Sequence, residues 1–142
     1  MQTETPEPAL LEVALMMREV HERMLDAALG HSQTAGTCLY SCLLLRETIQ
    51  RFTSFECRVR GGDGSSSGYR DQSGRMHGHY WVEAHGGTQH YVVDITADQF
   101  GGSRVTLLEL AASLERYIPG DQAEIDDHVR QCQHDMACAN NS

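Results

Sequence analysis

Residues 77–96 read HGHYWVEAHGGTQHYVVDIT, two runs of alternating apolar and polar residues divided by Gly86 and Gly87. This is the pattern of a β-hairpin. It predicts strands over about 77–85 and 88–96, joined by a two-residue Gly86-Gly87 turn. His85 then pairs with Thr88, every opposed pair sums to 173, and His79 faces Asp94 across the ladder. Alternation sends Tyr80, Val82, Tyr91, Val93 and Ile95 to one face, and His79, Trp81, Glu83, Val92 and Asp94 to the other. The first face is core. The second carries a His–Asp pair, which is expensive to cover unless it faces a cleft or another functional element.

Upstream of the hairpin, Cys38, Cys42, Leu45, Ile49 and Phe52 recur at helical spacing and mark one apolar stripe. An earlier helix is expected over about residues 7–29, with Pro6 following Thr5 at its start and Leu11, Leu15, Val20, Met24 and Ala28 in period. FECRVR at 55–60 alternates as a strand does. The glycine- and serine-rich stretch 61–74 reads as a flexible loop without core residues, bordering the site. Downstream, Gly101-Gly102 end the sheet, and Thr106-Leu107-Leu108-Glu109 form a capping box that starts a helix ending before Pro119-Gly120. Asp121 and Glu124 repeat that pattern ahead of a last helix striped by Ile125, Val129, Cys132 and Met136. Helix, helix, strands, helices is the order of an α+β domain, with N-terminal helices packed on a small antiparallel sheet and helices at the C-terminus.

A chain of 142 residues is one domain by length, so residues 1–142 are read as a single unit. A net charge of −9 with only 11 Lys plus Arg argues against nucleic acid as a partner. No apolar run approaches a membrane span, and the polar, acidic opening MQTETPEPAL lacks a secretory pattern, so a cytoplasmic location and no membrane association are expected. Five cysteines do not suggest an even disulfide framework, and free thiols are expected. The chain has no lysine. Covalent chemistry must therefore use a different nucleophile.

Cys38 is placed to be that nucleophile. A thiol at a helix start sees unpaired backbone N–H groups and the positive end of the helix dipole, which favour thiolate. With His79 as base and Asp94 holding the imidazole, the three residues make a catalytic triad. Gln33 is a candidate donor to an oxyanion, and Trp81 a candidate cleft wall.

GTCLYSCLLL around Cys38, GHYWVE around His79 and VVDITADQF around Asp94 together resemble the transglutaminase-like branch of the papain-like cysteine enzymes over residues 30–100. The resemblance implies a papain-like/transglutaminase-like core and acyl transfer through a thioester, as protease, amidase or deamidase, or transglutaminase. It implies a peptide, protein or small amide substrate and no cofactor.

Other readings use the same residues. His77, His79 and Asp94 offer ligands for a hydrolytic metal, and Cys132, His134 and Cys138 cluster near the C-terminus, although neither set has a recognised zinc spacing. A peptide-binding module without catalysis is a third reading. Cys42, one turn into the helix, is read as core; Glu83 and His90 as a cross-strand charge pair; Asp98 and Gln99 as a turn after the carboxylate.

Overall fold

The computed structural model describes residues 8–29 and 38–140. Helices α1 (Pro8–Leu29) and α2 (Cys38–Phe52) precede strands β1 (Glu56–Asp63), β2 (Gly68–Arg70), β3 (Met76–Gly86) and β4 (Gln89–Asp94). A 3₁₀ turn (Ala97–Phe100), β5 (Thr106–Glu109), the short α3 (Leu110–Ser113), β6 (Tyr117–Ile118) and α4 (Gln122–Asn140) complete the chain. The class is α+β with an antiparallel sheet in the order β5-β4-β3-β2-β6, and β1 also pairs with β3. No helix among the described residues is long and apolar enough to cross a membrane.

β3 organises the sheet. Its residues 78–85 pair with β1, and its first two pair with β2 on the same edge. β1 and β2 therefore run as one interrupted strand, with residues 64–67 looped out between them and closed by a bond from the Gly64 N–H to the Ser67 carbonyl at 2.8 Å. The expectation of a flexible loop over 61–74 is corrected here: the stretch holds the end of β1, all of β2, and Tyr69 at 3% exposure. Its glycines permit close backbone approach. A Cβ on Gly62 would lie 2.3 Å from the Gly68 nitrogen, and one on Gly68, at φ +125, would lie 2.0 Å from the His77 carbonyl oxygen.

The β3–β4 register pairs Gly86 with Gln89, His85 with His90 and Val82 with Val93, sums of 175 in place of the expected 173. The turn is Gly87-Thr88. Gly87 has φ +61 and Thr88 does not have a positive φ, the pattern of a II′ turn with glycine at its first central position. Gly86 serves packing instead, since a Cβ there would meet the Phe55 ring at 2.7 Å. One glycine makes the turn and the other admits a side chain.

The segment after Gly101-Gly102 does not leave the sheet. Thr106–Glu109 is β5, pairing Thr106 with Asp94, Leu107 with Val93 and Leu108 with Val92, and no helix begins at Thr106. The capping box loses to tertiary pairing because β5 satisfies the open edge of β4 and buries consecutive leucines on opposite faces, Leu107 in one apolar cluster and Leu108 in the other. The expected helix up to Pro119 is reduced to the four-residue α3, and Tyr117–Ile118 pair with β2. At the C-terminus the Asp121 carboxylate accepts from the Ala123 N–H at 3.0 Å and starts α4, as the sequence predicts.

Both sheet faces carry apolar clusters. Val59, Val82, Ala84, Tyr91, Val93 and Ile95 meet side chains of α1, α2 and α4. On the opposite face Trp81 and Val92 pack with Tyr69, Ala97 and Tyr117, flanked by Phe100, Leu108 and Leu110. The sheet curls around this second cluster. Tyr117 on β6 reaches Asp94 on β4 at 2.8 Å although two strands lie between them in the sheet.

Candidate active site

Cys38 occupies the first position of α2, His79 lies in β3, and Asp94 ends β4. β3 pairs with β4 only from Val82 onward, so the β4-side edge of residues 76–81 is open to other elements. His79 and Asp94 are not directly opposed. Continuing the register sets Trp81 across from Asp94, and His79 reaches the carboxylate diagonally, Nε2 to Oδ2 at 2.8 Å. A slip of two positions keeps both side chains on one face, which preserves the contact the sequence predicts while changing its geometry.

Asp94 is 1% exposed and bonded at both oxygens. Oδ2 also accepts from the Tyr117 hydroxyl at 2.8 Å, while Oδ1 accepts from the Thr96 N–H at 3.0 Å and the Thr96 hydroxyl at 3.4 Å. Burial alone would raise the carboxyl pKa, but the neighbouring imidazole and these donors hold it below the ordinary aspartate value. For His79, burial opposes the charged ring, but the charge and hydrogen bond of Asp94, with a further contribution from Cys38, push its pKa up to about 10. The pair is an imidazolium–carboxylate ion pair at neutral pH.

With Nε2 held by Asp94, the Nδ1 edge of the imidazole is left for the thiol. Cys38 acts on the ring through both charge and hydrogen bonding, yet Nδ1 meets no partner in well-formed hydrogen-bond geometry among the described residues. The sulfur lies beside the imidazole without being locked to it. Cys38 is half-buried, whereas Cys42, one turn on, is 3% exposed in the core, and burial pushes its thiol well up.

Aromatic rings enclose the imidazole. Phe100 and Tyr69 present edges to it at centroid separations of 5.2 and 5.7 Å, and Trp81 lies tilted at 6.2 Å. Trp81 is 1% exposed and packs edge-on to Tyr117 at 5.1 Å. It is therefore an internal wall behind His79. The face expected to meet a cleft or another functional element is covered around His79 by aromatic side chains, and this dry surrounding strengthens the ion pair.

His77 does not join His79 and Asp94 as a ligand set. Its Nε2 lies 2.7 Å from Asp71 Oδ2, and its ring stacks on Phe100 at 4.3 Å. Among the described residues no group of three or more His, Cys, Asp or Glu side chains is arranged to hold a metal ion. Gln33 lies outside the described residues, as does the side chain of Cys138. Glu83 stands opposite Val92, not His90, and its Oε1 accepts from Arg60 Nη1 at 3.2 Å and contacts His85 Nε2 at 2.9 Å. Asp98 does more than form a turn: both its oxygens accept from the buried Arg18 guanidinium.

Tyr117 and Thr96 are the participants that sequence reading missed. Thr96, two residues beyond Asp94, is legible as a local turn partner. Tyr117 has no local signal, because only the curl of the sheet brings it to the carboxylate. No protein-family model, no curated protein and no solved structure matches this chain.

Proposed function

We propose that this chain is a cysteine-dependent acyl-transfer enzyme of the papain-like/transglutaminase-like kind, acting on a peptide or carboxamide bond through a thioester. The observation that carries the reading is the buried His79–Asp94 ion pair, with the remaining imidazole edge beside a half-buried thiol at a helix start. Asp94 fixes the ring so that Nδ1 serves the sulfur.

In the proposed reaction the Cys38 thiolate, whose proton already sits on the His79 imidazolium, attacks the carbonyl carbon and forms the S–C bond. The tetrahedral oxyanion collapses, the C–N bond breaks, and the His79 proton goes to the leaving amine, leaving a thioester. Water or a second amine then attacks the thioester carbonyl; His79 takes the proton of the acceptor, and the sulfur leaves as thiolate. The backbone N–H groups at the start of α2 are suited to stabilise the oxyanion.

A panel of peptides and carboxamides, followed for ammonia release, amine incorporation and chain cleavage, tests the reading. One of the three activities is expected, together with an acyl adduct on Cys38 by mass spectrometry and loss of both in Cys38→Ala. Activity that survives Cys38→Ala, or a panel with neither turnover nor adduct, overturns it.

A further inference from the structure

Four donor groups meet Asp94, and among the described residues Tyr117 is the one that comes from a distant strand. Its hydroxyl lies on Oδ2, the same oxygen that holds His79 Nε2, and both contacts are 2.8 Å. Tyr117 is 2% exposed. Burial and the neighbouring carboxylate raise the phenol's pKa, so the Tyr117 hydroxyl keeps its proton and donates it to Asp94, while Thr106 on β5 lies close enough to act against that rise. Asp94 and Thr106 are themselves cross-strand partners. Tyr117 and Thr106 thus both border Asp94, whose other partners among the described residues are His79 and Thr96.

We propose that Tyr117 is a positioning residue that sets the strength and direction of the His79–Asp94 hydrogen bond by sharing carboxylate oxygen Oδ2 with the imidazole. The inference rests on the proposed catalytic use of that pair. A carboxylate oxygen with two donors divides its electron density between them, so the hydroxyl restrains how strongly Asp94 draws the imidazole proton. It also fixes the carboxylate plane, because Oδ1 is held by Thr96 and Oδ2 by Tyr117. Loss of the hydroxyl frees Oδ2 to His79 alone, shortens that bond, and removes one of the groups that keep Asp94 ionised in acid. The titratable groups facing the cluster are His79 on β3, the Cys38 and Cys42 thiols on α2, and Tyr69 on β2. Each is present in both wild type and variant, so differences between them report the hydroxyl.

The full chain with ¹⁵N-labelled histidine is compared by NMR as wild type, Tyr117→Phe and Thr106→Val. The His79 Nε2–H resonance is expected to move downfield in Tyr117→Phe, and its loss on acidification to begin at higher pH. In Thr106→Val the same changes are smaller, and this variant carries the test where Tyr117→Phe does not fold. Cys38 alkylation by iodoacetamide near pH 6 is expected to be no slower in Tyr117→Phe, because a stronger Asp94–His79 bond favours the imidazolium beside the thiol. A His79 resonance that moves in neither variant overturns the proposal. A resonance that moves while wild-type Cys38 alkylates no faster than Cys42 supports the Tyr117 coupling and instead overturns the catalytic reading.

Discussion

The Arg18 guanidinium on α1 grips Asp98 with Nη1 and Nη2 on separate carboxylate oxygens, both at 2.8 Å, and Nη1 also donates to the Ile95 carbonyl at 2.7 Å. Ile95 follows Asp94 directly, so one side chain ties the first helix to the chain leaving the site. The Arg18 side chain is 5% exposed, and its Nε donates to Glu22, which Arg104 also holds.

Arg18→Leu leaves Asp98 without its bidentate partner and the Ile95 carbonyl without its donor. The expected loss is about 2 kcal/mol of stability in urea unfolding, because the guanidinium is buried while the Asp98 and Glu22 carboxylates keep some access to water. Arg18→Lys restores the charge but not the planar fork and recovers only part of that loss. Recovery of full stability by lysine argues against a geometric role for the guanidinium.

Stability falls as pH rises above neutrality. His79 has an ordinary pKa of 6.5 and a folded value of about 10, so its contribution is complete below 6.5 and declines as pH climbs toward 10. Asp94, lowered on folding, contributes above its ordinary value of 3.8 and loses that contribution as pH falls through its folded pKa. The expected slope between pH 7 and 8.5 approaches about 1.4 kcal/mol per pH unit from His79, and the unfolded thiols, whose folded counterparts are raised by burial, add to it in the upper part of that range. His21, whose burial lowers its pKa, acts only below 6.5. Asp94→Asn should flatten the slope, and a wild-type profile that is flat from pH 7 to 8.5 contradicts the ion pair.

Substitutions separate the glycines of the 61–74 stretch. Gly68→Ala drives a Cβ to 2.0 Å from the His77 carbonyl oxygen at φ +125, and more than about 3 kcal/mol of destabilisation is expected. Gly74→Ala, at φ +90 with nothing within 4 Å, bears only the left-handed backbone cost of about 1–2 kcal/mol. Thermal unfolding of both variants decides the matter; equal losses would mean that close approach is not what Gly68 is for.

Thiol reactivity should be uneven. Burial pushes the Cys57 thiol to about 12, Cys132 is raised and Cys42 is raised well above the ordinary value, whereas Cys38 is half-buried beside a protonated imidazole. Peptide mapping after brief iodoacetamide exposure near pH 6 is expected to show Cys38 modified at least about tenfold faster than Cys42. His79→Gln should remove the advantage, and comparable rates in wild type would contradict an activated thiol.

The local periods of the chain disclosed much of this. The stripes from Cys38 to Phe52 and from Ile125 to Met136 became α2 and α4, and the parity of His79 and Asp94 survived because the register moved by two positions and not one. The turn sits one residue later than the sequence predicts because Gly86 and Gly87 look alike in sequence, while only the Phe55 ring distinguishes their purposes. β2, β5 and β6 were illegible for a different reason: each is short and owes its conformation to a partner strand supplied elsewhere in the fold. The capping box at Thr106 is a true local signal overruled by the open edge of β4. The distance from Cys38 to His79 follows from α2 packing on β3, which no spacing rule encodes.

The curl of the sheet also sets an order in time. A nascent chain that has released Cys38, His79 and Asp94 into solution still lacks the hydroxyl from residue 117 and the strand that carries it. Until β6 is synthesised and docks on β2, the carboxylate has no means of gaining its last partner. The site thus gains its last donor only after 23 further residues have followed Asp94, and a chain stalled before Tyr117 holds Cys38, His79 and Asp94 without that hydroxyl.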